Sequence, residues 1–186
     1  SDLERIPGNS SRVPVEPFIV RPEDFRVVDG DTISIMSSET NAKGKRIPSF
    51  SVRMRCIEAP ERSRKNEQQT GTTILLAAMG RGKKKYDAGS LSYEMVSILT
   101  RQKCILVIPS LERLKDEHDR LIGDVYVSGL AGKSFSKSGS FSLERVLIED
   151  GLVTARDNED LPSYDLPLEF TNPVRERPSS LPSPSF

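Results

Sequence analysis

Three short stretches hold the residues best suited to chemistry. They are Asp29-Gly30-Asp31-Thr32, then Arg53 with Glu58-Ala59-Pro60-Glu61, then Lys115-Asp116-Glu117-His118-Asp119-Arg120. The middle stretch sets a guanidinium and two carboxylates within nine positions, where a strand pattern gives way to a proline-fixed loop. These residue types suit one problem. A phosphodiester is anionic and repels hydroxide, so its charge must be neutralised before water can attack. A hard cation held by oxygen ligands does this and also orients the substrate. Planar guanidiniums match phosphate oxygens bidentately, which lysine does less well. Donors fixed where charge develops lower the barrier, and removing one typically costs about 100- to 1,000-fold by analogy with oxyanion holes. Each stretch alone has a plainer reading: an Asp-Gly pair is usually a turn, exposed ion pairs contribute little, and one His among carboxylates is more often a polar loop.

The elements that must position these residues are short. Phe25–Val28 and Asp31–Met36 are β-type runs joined at Asp29-Gly30, a pair that favours a tight hairpin turn. From Ser51 to Ile57 the residues alternate, with Val52, Met54 and Cys56 on one face and Arg53 and Arg55 on the other. Thr73–Met79 predicts a short helix, followed by a basic loop over 80–85. Ser90 caps a clearer helix with Leu91, Met95, Ile98 and Leu99 on one stripe. Cys104–Ile108 is a continuous apolar run ended by Pro109, which predicts a buried strand, and Leu121–Val127 predicts another. Residues 129–140 are rich in Gly, Ser and Lys and read as a mobile loop. Ser142 caps a last helix that Gly151 stops. This order leaves few connections long enough for parallel crossovers, so the sheet is expected to be mainly antiparallel. The fold class is then α+β, mainly β, with two or three helices. Five short strands with a helix after the third match a five-stranded Greek-key barrel, the OB-fold. Periodicity does not fix closure, and an open α+β sheet is the alternative.

With 186 residues the chain is expected to form one domain, over 23–158. An extended N-terminal arm (1–22) and a Pro/Ser-rich C-terminal tail (159–186) flank it, docked or disordered. Residues 161–186 hold six of the thirteen prolines, too many for a helix or a central strand. The tail reads as a spacer, and could also offer a protein partner a polyproline II segment. No run approaches the roughly 18 apolar residues of a membrane helix, so no membrane span is expected. No apolar stretch follows a basic start, and Ser1 fits a processed or trimmed chain whose address has been removed. Cys56 and Cys104 lie in apolar runs and read as buried free thiols rather than a disulfide framework. The formal charge of zero hides an asymmetry: residues 41–103 hold 14 basic and 5 acidic groups. A solvated basic face is the simplest account, and phosphate is the first candidate for an anionic partner.

Taken together, the stretches resemble the staphylococcal nuclease (thermonuclease-like) family. The resemblance rests on Val27-Val28-Asp29-Gly30-Asp31-Thr32-Ile33 and on Val52-Arg53-Met54-Arg55-Cys56-Ile57-Glu58-Ala59-Pro60-Glu61. It continues through Asp116–Val127 and Leu143–Val153, covering about residues 24–155. The resemblance implies an OB-fold phosphodiesterase that cleaves DNA and/or RNA with little sequence preference, leaving a 5′-hydroxyl and a 3′-phosphate. By the same resemblance, Asp31, Glu58 and the carbonyl of Ala59 would bind Ca²⁺, with Mg²⁺ or Mn²⁺ as substitutes. Glu61 would position or deprotonate the attacking water, and Arg53 and Arg120 would grip the scissile phosphate. Four features depart from the family pattern: Glu58 replaces an aspartate, Asp119 replaces a small residue, Arg156, Asp157 and Glu159 lie where nucleotide-lining tyrosines are usual, and the Pro-rich tail replaces a last helix. His118 or Tyr164 could stack on a base instead. Lys83, Lys84 and Lys85, with Lys43, Lys45 and Arg46, are candidates for nucleic-acid backbone contacts, and solvated loops explain them equally well. The departures favour a second reading, a catalytically weak or inactive domain that binds nucleic acid or protein.

Overall fold

A computed structural model of the chain describes residues 13–62, 87–129, 135, 139–157 and 159–170. The alternating run around Arg53 forms part of β4 (Arg46–Met54), in which Val52 and Met54 are fully buried. The other strands are β1 (Phe18–Val20), β2 (Phe25–Asp29), β3 (Thr32–Thr40), β5 (Ile57–Glu58), β6 (Ile105–Pro109), β7 (Leu121–Val127), β8 (Phe141–Ser142) and β9 (Thr154–Ala155). Two α-helices accompany them among the described residues, α1 (Ala88–Thr100) and α2 (Leu143–Glu149). The expected helix over Thr73–Met79, the basic loop after it and most of 129–140 lie outside the described residues.

Seven strands form one mixed sheet in the order β1-β6-β7-β4-β3-β2, with β8 also paired to β7, while β5 and β9 form a separate antiparallel pair. The expectation of a five-stranded closed barrel is therefore corrected: the sheet has seven strands, and among the described residues no pairing of β1 with β2 closes it. The expectation of mainly antiparallel pairing holds except at β4 and β7, which run parallel. The sheet is nonetheless strongly curled. Its two outer rows, β1 and β2, are joined by residues 21–24 alone, a link that reaches at most about 18 Å. Six strands laid flat would set those rows roughly 24 Å apart. Pro22 opens a 3₁₀ turn in this link, and with no N–H to donate it ends β1's pairing there.

The main core gathers Val20, Ile33, Ile35, Val52, Met54, Ile105, Val107 and Val125 of the sheet, with Val96 of α1 and Leu143 and Leu147 of α2. The alternate residues of β6 face the other way. Leu106 joins Cys104, Tyr126, Phe135, Leu166 and Phe170 in a second cluster on the outer surface. Burial on both faces explains why Cys104–Ile108 reads as an unbroken apolar run. Parts of both flanking segments pack on the sheet: Phe18–Val20 pairs with β6, and residues 159–170 dock as a strap. Arg145 Nε donates to Pro162 O (2.7 Å), Tyr126 Oη to Ser163 O (2.9 Å) and Ser142 N to Tyr164 O (3.0 Å). Both cysteines are buried, and no disulfide joins them.

Local signals were accurate to within a turn. Asp87, rather than Ser90, caps α1, its carboxylate accepting from Ser90 N at 2.8 Å. Ser142 caps α2 through Arg145 N (3.2 Å), and Gly151 follows that helix at φ +72°, the left-handed conformation glycine adopts freely.

Candidate functional site

The first corner is the β2–β3 turn, whose central residues are Gly30 and Asp31. A side chain at position 30 would run into Ser92 of α1 and meet the Ala59 Cβ at 3.1 Å. Glycine is needed there for space, and α1 thereby sits directly on the turn. Asp31 is 7 % exposed. Its Oδ1 accepts from Thr32 Oγ1 (2.9 Å) and its Oδ2 from Ala59 N (2.8 Å), so its carboxylate ties the first corner to the second.

The second corner follows β4. Arg53 is 5 % exposed, and its Nη1 donates to the carbonyls of Met54 (3.0 Å) and Ile57 (2.8 Å). Its Nη2 donates to Glu58 Oε1 (2.9 Å) and lies 3.4 Å from Asp31 Oδ2. Arg55 departs from the single two-guanidinium face that alternation implies, because the chain turns at residues 55–56. It pairs with Asp124 (3.1 Å) and Glu159 (2.9 Å) instead. Glu61 has no side-chain hydrogen bond among the described residues. Its peptide packs against Gly89, where any Cβ would overlap Glu61 C and O.

The third corner leads into β7. Parallel pairing sets Arg53 opposite Ile122, and Arg120, two residues earlier, falls on the same face. Asp116 orients Arg120: its Oδ2 accepts from Arg120 Nε (2.7 Å) and its Oδ1 from Arg120 N (2.9 Å). Burial opposes ionisation of Asp116, but hydrogen bonds from Arg120 and His118 outweigh it and hold the carboxyl below its usual range. Asp119 does not crowd Arg120. It bonds Lys115 Nζ at 3.0 Å and occupies a left-handed conformation at φ +62°.

One cleft of about 660 Å³ is lined by Asp31, Arg53, Glu58, Ala59, Glu61 and Arg120, with His118 at its rim. That volume suits a nucleotide-sized ligand. Lys83, Lys84 and Lys85 lie outside the described residues. Several cleft residues had been given no role from sequence, among them Arg62, Arg113, Asp116 and Arg156. Only Asp116 had a signal, its spacing of four from Arg120. Asp29 also lines the cleft, and its carboxyl is raised above the ordinary range by burial first and then by the charge of Asp31. Asp31 and Glu58 both reach the same Arg53 nitrogen, so two hard oxygen donors converge beside the Ala59 backbone. This donor set fits Ca²⁺, Mg²⁺ or Mn²⁺.

A second polar cluster gathers Cys56, Asp124 and Glu144. Glu144 is fully buried, its Oε1 accepting from Val125 N (3.0 Å) and its Oε2 from Cys56 N (3.3 Å) and Cys56 Sγ (2.7 Å). Burial, and then the charge of Asp124, push the Glu144 carboxyl up to about 8. Burial likewise pushes the Cys56 thiol up. Cys56, Asp124 and Glu144 bring ligand-type atoms within 4.8 Å of one another, but the Glu144 oxygens are already taken by backbone N–H groups and the thiol, which accounts for the arrangement without a metal. No family model matches the chain, and no curated protein matches it either.

Proposed function

We propose that this protein is a metal-dependent phosphodiesterase of the staphylococcal nuclease kind, hydrolysing DNA and/or RNA with little sequence preference on a curled, OB-like sheet. The observation that carries this reading is the convergence of Asp31, Arg53, Glu58, Ala59, Glu61 and Arg120 on one cleft. Asp31, Glu58 and the Ala59 carbonyl would hold the cation. Five arginines and six carboxylates line the cleft, and a bound divalent cation supplies two positive charges that offset this excess and polarise a phosphate oxygen. Arg53 and Arg120 grip the non-bridging oxygens and stabilise the charge of the five-coordinate transition state. Glu61, whose carboxylate has no hydrogen bond among the described residues, takes the proton of the attacking water. The new P–O bond forms as the bond to the 5′ oxygen breaks, and that oxygen leaves as the 5′-hydroxyl after taking up a proton.

A second reading has its own support: both terminal nitrogens of Arg53 are already engaged by protein acceptors, as suits a site that binds without turning over. Plasmid nicking with Ca²⁺, Mg²⁺, Mn²⁺ or EDTA separates the two. Cleavage abolished by EDTA, and reduced about 100-fold or more by Arg53→Ala, Glu61→Ala or Arg120→Ala with folding intact, is expected. Binding without cleavage under every metal condition would leave the second reading standing, and wild-type rates in all three variants would refute the assigned site.

A further inference from the structure

Two cleft arginines have no part in this chemistry. Arg62 sits over the Tyr93 ring of α1, with its guanidinium carbon 4.0 Å from the centroid. Its ion-pair partner among the described residues, Asp29 Oδ1, is 3.9 Å from Nε, too far for a hydrogen bond. A ring face holds a cation without consuming N–H donors, so Arg62 is held over Tyr93 while no hydrogen bond engages its donors among the described residues. Its backbone is fixed too, because Gly89 packs against the Glu61–Arg62 peptide. Arg156 follows β9 and is anchored by its own N–H on Cys56 O (2.8 Å). Its guanidinium has no hydrogen-bond or ion-pair partner among the described residues. The other cleft arginines differ: Arg53 pairs with Glu58, Arg113 with Glu117 and Arg120 with Asp116.

We infer that Arg62 and Arg156 bind phosphates adjoining the scissile one, so that the cleft takes a polynucleotide strand in preference to an isolated phosphodiester. The inference rests on the phosphodiesterase reading for the position of the central phosphate. Each guanidinium suits one phosphate through paired N–H donors, and a lone diester has no neighbouring phosphate to offer. Contacts of this kind add affinity that is independent of base sequence and sensitive to salt.

The test has two arms. In the first, fluorescence anisotropy follows a short labelled thymidylate strand binding in EDTA across a salt series. Arg62→Ala and Arg156→Ala should each flatten the log-affinity against log-salt slope by about 0.7, while Arg62→Lys and Arg156→Lys keep the wild-type slope. In the second, cleavage with Ca²⁺ compares this strand with a dinucleotide, and the ratio of their kcat/KM values should fall on the order of tenfold in the double alanine variant, mainly through KM on the strand. If the wild type cleaves but the alanine variants keep its salt slope and strand preference, the inference is overturned and the nuclease reading stands. If the wild type binds with a slope that the variants flatten yet never cleaves, the nuclease reading fails and the phosphate contacts stand. Equal slope loss in the lysine and alanine variants would overturn the assignment to charge.

Discussion

Glu144 links the stability of the fold to pH. It is a fully buried acid whose two oxygens hold backbone N–H groups on β7 and on the turn after β4. Its folded-state value of about 8 stands above the ordinary 4.5, so the native state holds this proton more tightly than the unfolded chain does. The stability it contributes is complete below about 4.5 and is lost as pH rises through about 8. Melting temperature is therefore expected to fall between pH 5 and pH 9. Glu144→Gln should lower stability at pH 5 by about 1–3 kcal/mol, because one N–H loses its acceptor. The same variant should flatten the pH slope, so that the gap to wild type narrows by pH 9. Parallel pH curves for the two proteins would contradict this account. A glutamate in a helix reads from sequence as exposed, which is why this residue drew no notice there. Arg62 was passed over for a related reason: a lone loop arginine looks the same whether it faces solvent or a cleft.

At the scale of elements, α1 acts as a wedge behind two of the three corners. Gly30 meets it at Ser92, and Gly89, within its first turn, meets the Glu61–Arg62 peptide. Replacing glycine by alanine inside a helix ordinarily gains about 0.5–1 kcal/mol. Gly89→Ala should do the opposite, since the new methyl overlaps backbone that cannot swing away as a flexible side chain would. Urea denaturation is expected to show a loss of stability, and cleavage should fall by up to about 100-fold as Glu61 is displaced. A stabilised, fully active Gly89→Ala variant would show that the contact is not restrictive. Elements whose signals are local were legible beforehand: the Val52/Met54 alternation, the Ser142 cap and the Gly151 stop all depend on near neighbours. β1 was not, because Pro14, Pro17 and Pro22 disguise it and its partner Val107 lies far along the chain. The convergence of Arg53 with Arg120 was likewise invisible to spacing, for it depends on the parallel β4–β7 register. The residue types of the site could be read in advance, whereas their meeting in one cleft was implied by the family resemblance alone.

For the whole molecule, the strap over 159–170 extends the structure beyond the sheet, α1 and α2. It covers Leu106 and Tyr126 with Leu166 and Phe170, and Arg55 donates to Asp160 O at 2.6 Å. Burying each of those two large side chains contributes about 1.5–3 kcal/mol. A chain ended after Asp157 should therefore lose several kcal/mol, and Cys104, now 5 % exposed, should become accessible to a thiol reagent. Unchanged melting and unchanged thiol reactivity would mean that the strap is dispensable. The pairing of Phe18–Val20 with Ile105–Val107 bears on the order in which the protein can be made. A ribosome delivers the first row of the sheet long before the row it must join. During that interval the nascent segment has an unsatisfied backbone edge beside apolar side chains, the kind of surface that chaperones cover.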